Sequence, residues 1–179
     1  MSLILEVPIN RVSFGNVAFN IVRELYKREY PISIFPIGQP DFSAFDLDDG
    51  LTKYFEDVDK DAVTLQMWHL NGSENRKTAQ QFLFTFYECS EPTAIESKIA
   101  CAQDHVFFSS NDAMDHFSRV GARNTSFVPL GLDEDFKVTG KEYLSDTVHF
   151  GLMGKFENRK HTQKIIRAWL KKYGNNNKY

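Results

Sequence analysis

The chain has 179 residues, 42% of them hydrophobic and 25% charged, which suits one well-buried domain and is too few for two full ones. Its formal net charge of -3, with Lys and Arg scattered until the final segment, argues against a polyanion binder and so against nucleic acid as a partner. No apolar run approaches the roughly 18 residues a transmembrane span needs, and the start "MSLILEVPIN" lacks the basic region of a secretory signal, so a cytoplasmic location is expected.

Taken in chain order, "LILEV" is a buried strand and "PINRVSFG" a loop with Pro8 and Gly15 as breakers. From Asn16 the apolar positions Val17, Phe19, Ile21, Val22 and Leu25 recur at helical spacing, with Arg23, Glu24, Lys27 and Arg28 on the other face. "ISIFPIG" is a second strand, which makes a βαβ unit and favours a parallel sheet. "FSAFDLDDGLTKYFEDV" carries a helix, "AVTLQMW" a strand with "HLNGSENR" as its exit loop, and "QFLFTFYE" a strand apolar on both faces. "PTAIESKIACA" is a helix with Pro92 near its first turn, and "HVFFSS" the next strand. Ser110 or Asn111 caps a helix that runs to about Arg119, with Gly121 just beyond it. "TSFVPLGLD" supplies a sixth short strand and a turn.

This alternation predicts an α/β fold, a Rossmann-like doubly wound parallel sheet, over residues 1–133. Residues 134–146 are charged and nearly patternless, and read as a linker whose turn Asp133 helps to set. Residues 147–179 start again with a strand, "DTVHFGLMG", and the helix "RKHTQKIIRAWLKKYG". One βα pair cannot bury its own apolar face, so this piece reads as the opening of a truncated second domain, with self-association through it as one way to cover Ile165, Ile166, Trp169 and Leu170.

Several residues carry chemistry. Cys89 and Cys101 fit no paired motif and read as buried, reduced thiols. His69, His105, His116, His149 and His161 show no metal-ligand spacing, so no metal is expected. Glu88 and His69 each follow an apolar strand. Either could serve as an acid or base at the carboxyl edge of the sheet, with an ordinary structural role as the alternative. Phe14, Trp68 and Tyr87 stand where a sugar could stack. Ahead of the last helix, Gly154 is followed by Lys155, Arg159 and Lys160. Cations at a helix start oppose its dipole unless an anion sits there, so this is a candidate anion site.

The order of motifs resembles the family 4 (group 1) glycosyltransferases of the two-domain GT-B fold. Four stretches carry the likeness: "INRVSFGNVAFNIVRELYKR", "FTFYECSEP", "DHVFFSSNDAMDHFSRVGARNTSFVPLGLDEDF" and "FGLMGKFENRKHTQKIIRAW". The resemblance implies transfer of a sugar from a nucleotide-sugar donor to an acceptor it does not identify, with retention at the anomeric carbon and neither metal nor cofactor. It implies that Phe14, Gly15 and Asn16 form a cleft-facing turn, that Tyr87-Glu88 holds the place of the relatives' "FE", and that Lys155 and Lys160 stand at the donor-phosphate positions. His161 departs from the family, which has Gly there, and the later pair of donor-site glutamates has no counterpart in this sequence. A non-catalytic α/β module, or a truncated chain without a complete donor site, is the alternative. A dinucleotide oxidoreductase is disfavoured because no GxGxxG follows the first strand.

Overall fold

The computed structural model describes residues 2–43, 61–132, 140 and 150–175. The chain divides into two compact units, Met1–Gly131 and Leu132–Tyr179.

Unit 1 is a six-stranded sheet with helices on both faces. Its strands are β1 (Leu3–Val7), β2 (Ile32–Pro36), β3 (Val63–Met67), β4 (Gln81–Thr85), β5 (His105–Phe108) and β6 (Thr125–Phe127). They lie in the order β2-β1-β3-β4-β5-β6, and every neighbouring pair is parallel. The predicted Rossmann-like α/β fold is therefore present. All six strands fall where apolar runs end at Gly, Pro or polar turns. The expected helix in the segment starting at Phe42 lies mostly outside the described residues.

Side-chain alternation explains the two covered faces. On one, α1 (Ser13–Lys27) sets Phe14, Ala18 and Val22 against Leu5, Val7, Ile34 and Phe84. On the other, α2 (Ala94–Ala102) and α3 (Asn111–Arg119) set Ile99, Ala113 and Phe117 against Leu83, Val106 and Phe108. Leu83 and Phe84 are adjacent in β4 and belong to opposite cores, as a period of two requires. Phe108 and Phe117 are fully buried in the second core and stacked at 4.9 Å.

Helix ends follow local chemistry, and here several expectations need correction. α1 begins at Ser13, not Asn16, so Phe14, Gly15 and Asn16 lie in its first turns and not in a loop. The Asn10 side chain accepts a hydrogen bond from the Val12 amide at 3.0 Å and closes the turn that launches the helix. Pro92 lies one residue ahead of the N-cap of α2, outside its first turn. The cap is Thr93, whose hydroxyl accepts from the Glu96 amide while the Glu96 carboxylate accepts from the Thr93 amide at 2.8 Å. Ser110 caps α3 by accepting from the Ala113 amide. Gly121, at φ +100, lets the chain leave α3 with the Ala122 amide donating to the Phe117 carbonyl and the Gly121 amide to Ser118. Both cysteines are free and exposed, not buried: Cys89 follows β4 in a polar loop, and Cys101 lies outside the apolar stripe of α2.

Unit 2 departs further from expectation. The expected linker, 134–146, lies outside the described residues apart from Gly140, as does the first half of the expected strand; the described part of that strand, 150–153, is not in a strand. Arg159 and Lys160 do not open the helix. They lie in a single 3₁₀ turn, Asn158–Lys160, and α4 (Thr162–Tyr173) begins only after His161. Phe150 packs on Trp169 at 4.3 Å, and Trp169 on Tyr173 at 4.6 Å, while Met153, Phe156 and Leu170 stay exposed.

Among the described residues no helix is long and apolar enough to cross a membrane.

Candidate functional site

The strand order creates a crevice. The chain leaves β1 toward β2 on one side, and β3 then pairs with the other side of β1. Parallel α/β sheets bind ligands outside the carboxyl ends of strands at such a reversal. The residues placed there are the loop after β1, the first turn of α1, and Trp68-His69 after β3.

These residues form an aromatic cluster. Phe14 stacks on Phe86, just past β4, at 4.2 Å and 13°. His69 meets the Phe14 ring edge-on at 4.7 Å, and Trp68 lies 5.9 Å from it. Phe14 is buried, Trp68 half-buried and His69 exposed, so the cluster grades from core to solvent. Its position is fixed from below. The Ser73 hydroxyl donates to the His69 carbonyl at 2.6 Å, the Ser73 amide donates to Leu70, and the Ser73 carbonyl accepts from the buried Gln103 side chain at 2.8 Å. Gly15 is buried beneath Asn10, and a Cβ there would overlap the Asn10 backbone. Asn16 is exposed on α1, its amide bonded to the Val12 carbonyl at 3.0 Å. The structure thus brings Phe14, Gly15 and His69 into one neighbourhood.

Glu88 lies at the same carboxyl edge of the parallel sheet, in a different place. It lines a cleft of about 440 Å³ with Tyr87, Cys89, Ser110, Asp112 and His116, and His69 is not part of that lining. The two proposed acid–base residues therefore serve separate neighbourhoods. The cause is alternation past β4: Phe86 turns toward α1, whereas Tyr87 turns toward α3 and meets Phe117 edge-on at 4.9 Å. The Tyr87 hydroxyl donates to the Glu91 carbonyl at 2.6 Å. Desolvation and the nearby Glu96 carboxylate push its pKa up to about 12. Asp112 and His116 were not singled out from sequence. They are spaced i, i+4 on α3, which puts both on one helix face and was the available signal.

In unit 2, Gly154 has φ +139 and open space around it, and Lys155 and Lys160 are exposed. The Lys155 carbonyl accepts from the Glu157 amide at 2.8 Å, which folds the segment back toward α4. Arg159 is paired with Glu157 at 3.0 Å. Lys155 and Lys160 have no carboxylate partner among the described residues. α4 starts without a side-chain cap and without an acidic residue in its first turn. Its N-cap, His161, takes the left-handed conformation at φ 52, which a residue with a Cβ adopts only at a cost.

Among the described residues no group of three or more His, Cys, Asp or Glu is placed to hold a metal ion. No protein-family model, curated protein or solved structure matches this chain.

Proposed function

We propose that the chain is a glycosyl-transfer module of the GT-B type. It takes its sugar from a nucleotide-sugar donor without a metal and retains the anomeric configuration. The reading assigns the donor diphosphate to the head of α4 in unit 2 and the acceptor to the carboxyl edge of the sheet in unit 1. Glu88 and His69 are the candidate acid–base groups there.

One observation carries the proposal. Lys155 and Lys160 lie in the segment that leads into a helix start with neither a side-chain cap nor an acid, and no described carboxylate satisfies either ammonium. Helix N-termini with adjacent cations hold phosphates, and the same charges stabilise a departing diphosphate. Arg159 contributes less on this reading, because Glu157 already neutralises it.

Calorimetric titration of the chain with a nucleoside diphosphate tests the assignment. Lys160→Ala and Lys155→Ala should each weaken binding roughly ten- to hundredfold, the worth of one charge-assisted contact to phosphate. Arg159→Ala should weaken it less. Binding indifferent to Lys160→Ala, or an Arg159→Ala loss as large, removes the phosphate role.

A non-catalytic α/β module is the second reading. It is favoured by the described part of unit 2, which holds one helix and one 3₁₀ turn and leaves Met153 and Phe156 almost fully exposed at 96% and 81%. Absence of any diphosphate binding by the wild-type chain would select it.

A further inference from the structure

The charge of this chain is unevenly spread. Residues 150–175 hold seven Lys and Arg against one Glu, a net of +6, in a chain whose formal net charge is -3. α4 itself contains no acidic residue, and Lys164, Arg167, Lys171 and Lys172 have no ion-pair partner among the described residues. A helix face that only meets water ordinarily mixes both signs, because i, i+4 pairs support it.

The same helix is two-sided. Laid out at about 100° per residue, Ile165, Ile166, Trp169, Leu170 and Tyr173 fall within an arc of about 140°, and Lys164, Arg167 and Lys171 fall opposite it. Lys172 stands at the rim, its Nζ 5.3 Å from the Tyr173 ring centroid. Ile165, Ile166 and Leu170 are exposed, and Trp169 is half-buried with Phe150 packed on it at 4.3 Å. Leu152, Met153 and Phe156, in the segment before the helix, are exposed as well.

This combination selects among occupants. A nucleic acid would answer the cations and leave the apolar arc in water. A second copy of the chain would cover the arc and bring two positive surfaces together. A lipid surface with anionic headgroups meets both needs at once. Its acyl boundary takes up the aliphatic and aromatic side chains, while the long Lys and Arg side chains reach back to the headgroups. At 12 residues the helix is too short to span a bilayer, so it would lie flat in the interface.

We propose that α4 is a membrane-surface anchor. Ile165, Ile166, Trp169 and Leu170 enter the acyl boundary of an anionic lipid surface, and Lys164, Arg167, Lys171 and Lys172 hold its headgroups. The anchor goes beyond the transfer reading and does not depend on it.

The test sediments the full chain with vesicles of equal parts phosphatidylserine and phosphatidylcholine, and with vesicles of phosphatidylcholine alone. Binding to the mixed vesicles should be at least about a hundredfold tighter, since each cation near an anionic surface is worth about fivefold. Arg167→Gln and Lys171→Gln should each weaken binding by about that fivefold factor. Leu170→Ser should weaken it to a similar extent, roughly fivefold, by removing apolar burial. All three positions are exposed, so the urea midpoint should not move. Bromine-labelled acyl chains should quench tryptophan fluorescence, and Trp169→Phe, which leaves Trp68 as the sole tryptophan, should lose the quenching. Equal binding to phosphatidylcholine alone, no binding to the mixed vesicles, binding indifferent to Leu170→Ser, or quenching that persists in Trp169→Phe overturns the proposal. So does dimerisation abolished by Leu170→Ser, which assigns the arc to a second copy. Binding of a DNA duplex as tight as that of the mixed vesicles assigns the cations to a nucleic acid and also overturns it. Lys155 and Lys160 are intact in every variant, so the outcome is separable from the nucleoside diphosphate titration.

Discussion

A Cβ on Gly15 would overlap both the backbone and the side chain of Asn10. In an ordinary helix, glycine to alanine is a gain of about 1 kcal/mol from propensity. Here the close approach of the β1 exit loop reverses the sign. Gly15→Ala should destabilise unit 1 by roughly 1–3 kcal/mol, the cost of overpacking against backbone that cannot rotate away. Urea unfolding decides it: a neutral or stabilised variant would mean the loop moves aside freely. Glu6 makes the opposite case. It is buried in β1, and its pKa is raised by desolvation despite the lowering effect of Lys77 at 3.3 Å. The fold thus disfavours the charged form. That penalty is fully present above the raised folded pKa and absent below the ordinary value of 4.5. Its Oε2 is buried without a hydrogen-bond partner, as is Oε1 of Gln66, its register partner on β3. Glu6→Gln removes the buried charge and offers an amide donor to Gln66. It should raise the unfolding midpoint at pH 7, with a hydrogen bond of this kind worth about 1 kcal/mol, and the gain should vanish as pH falls below 4.5. A variant less stable than wild type at pH 7 would show that the Lys77 pairing outweighs burial.

The elements differ in how much of them local sequence could announce. Each strand of unit 1 is an apolar run bounded by turn residues, so strand positions are local information. The start of α1 is not. Its N-cap is Val12, with no capping side chain, and the turn is closed instead by Asn10 two residues earlier. Thr93 and Glu96 are the converse: their S/T-x-x-E spacing is a capping box in plain sight, and it places the boundary that Pro92 misplaces. Thr93→Ala should cost α2 about 1 kcal/mol, read from the urea midpoint. Thr93→Ser should recover most of it, since serine keeps the hydroxyl, and equal losses from both would assign the effect to the threonine methyl. The candidate site was legible only in part. His69 and Glu88 could be placed at the carboxyl edge because parallel strands share that edge. Their separation could not be read, since it depends on which face Phe86 and Tyr87 take and on β5 bringing α3 beside β4. In unit 2 the run ending in Leu152 and Met153 has strand composition, but a strand is defined by a partner, and composition supplies none.

At the scale of the molecule, both hydrophobic cores are built from residues that belong to unit 1, from Leu3 to Ala122. Unit 2, taken by itself, shows a different balance. Thr162 is its one buried residue among those described in 150–175, while Phe150, Leu152, Met153, Phe156, Ile165 and Leu170 are all exposed. Folding free energy scales with apolar surface removed from water, at about 25 cal/mol per Å². Nearly all of that surface among the described residues is therefore removed inside unit 1. Residues 1–131 expressed alone should unfold in a single cooperative transition, with a urea midpoint close to that of the full chain. The full chain, in contrast, should bind more of a dye such as ANS, because the α4 segment presents uncovered aromatic and aliphatic side chains. Removing them one at a time sharpens the test. Phe156→Ser and Met153→Ser should lower dye binding without moving the midpoint, since neither side chain contributes to a core. A midpoint for residues 1–131 well below that of the full chain would show that unit 2 contributes apolar burial of its own, and the assignment of stability to the sheet domain would fall with it.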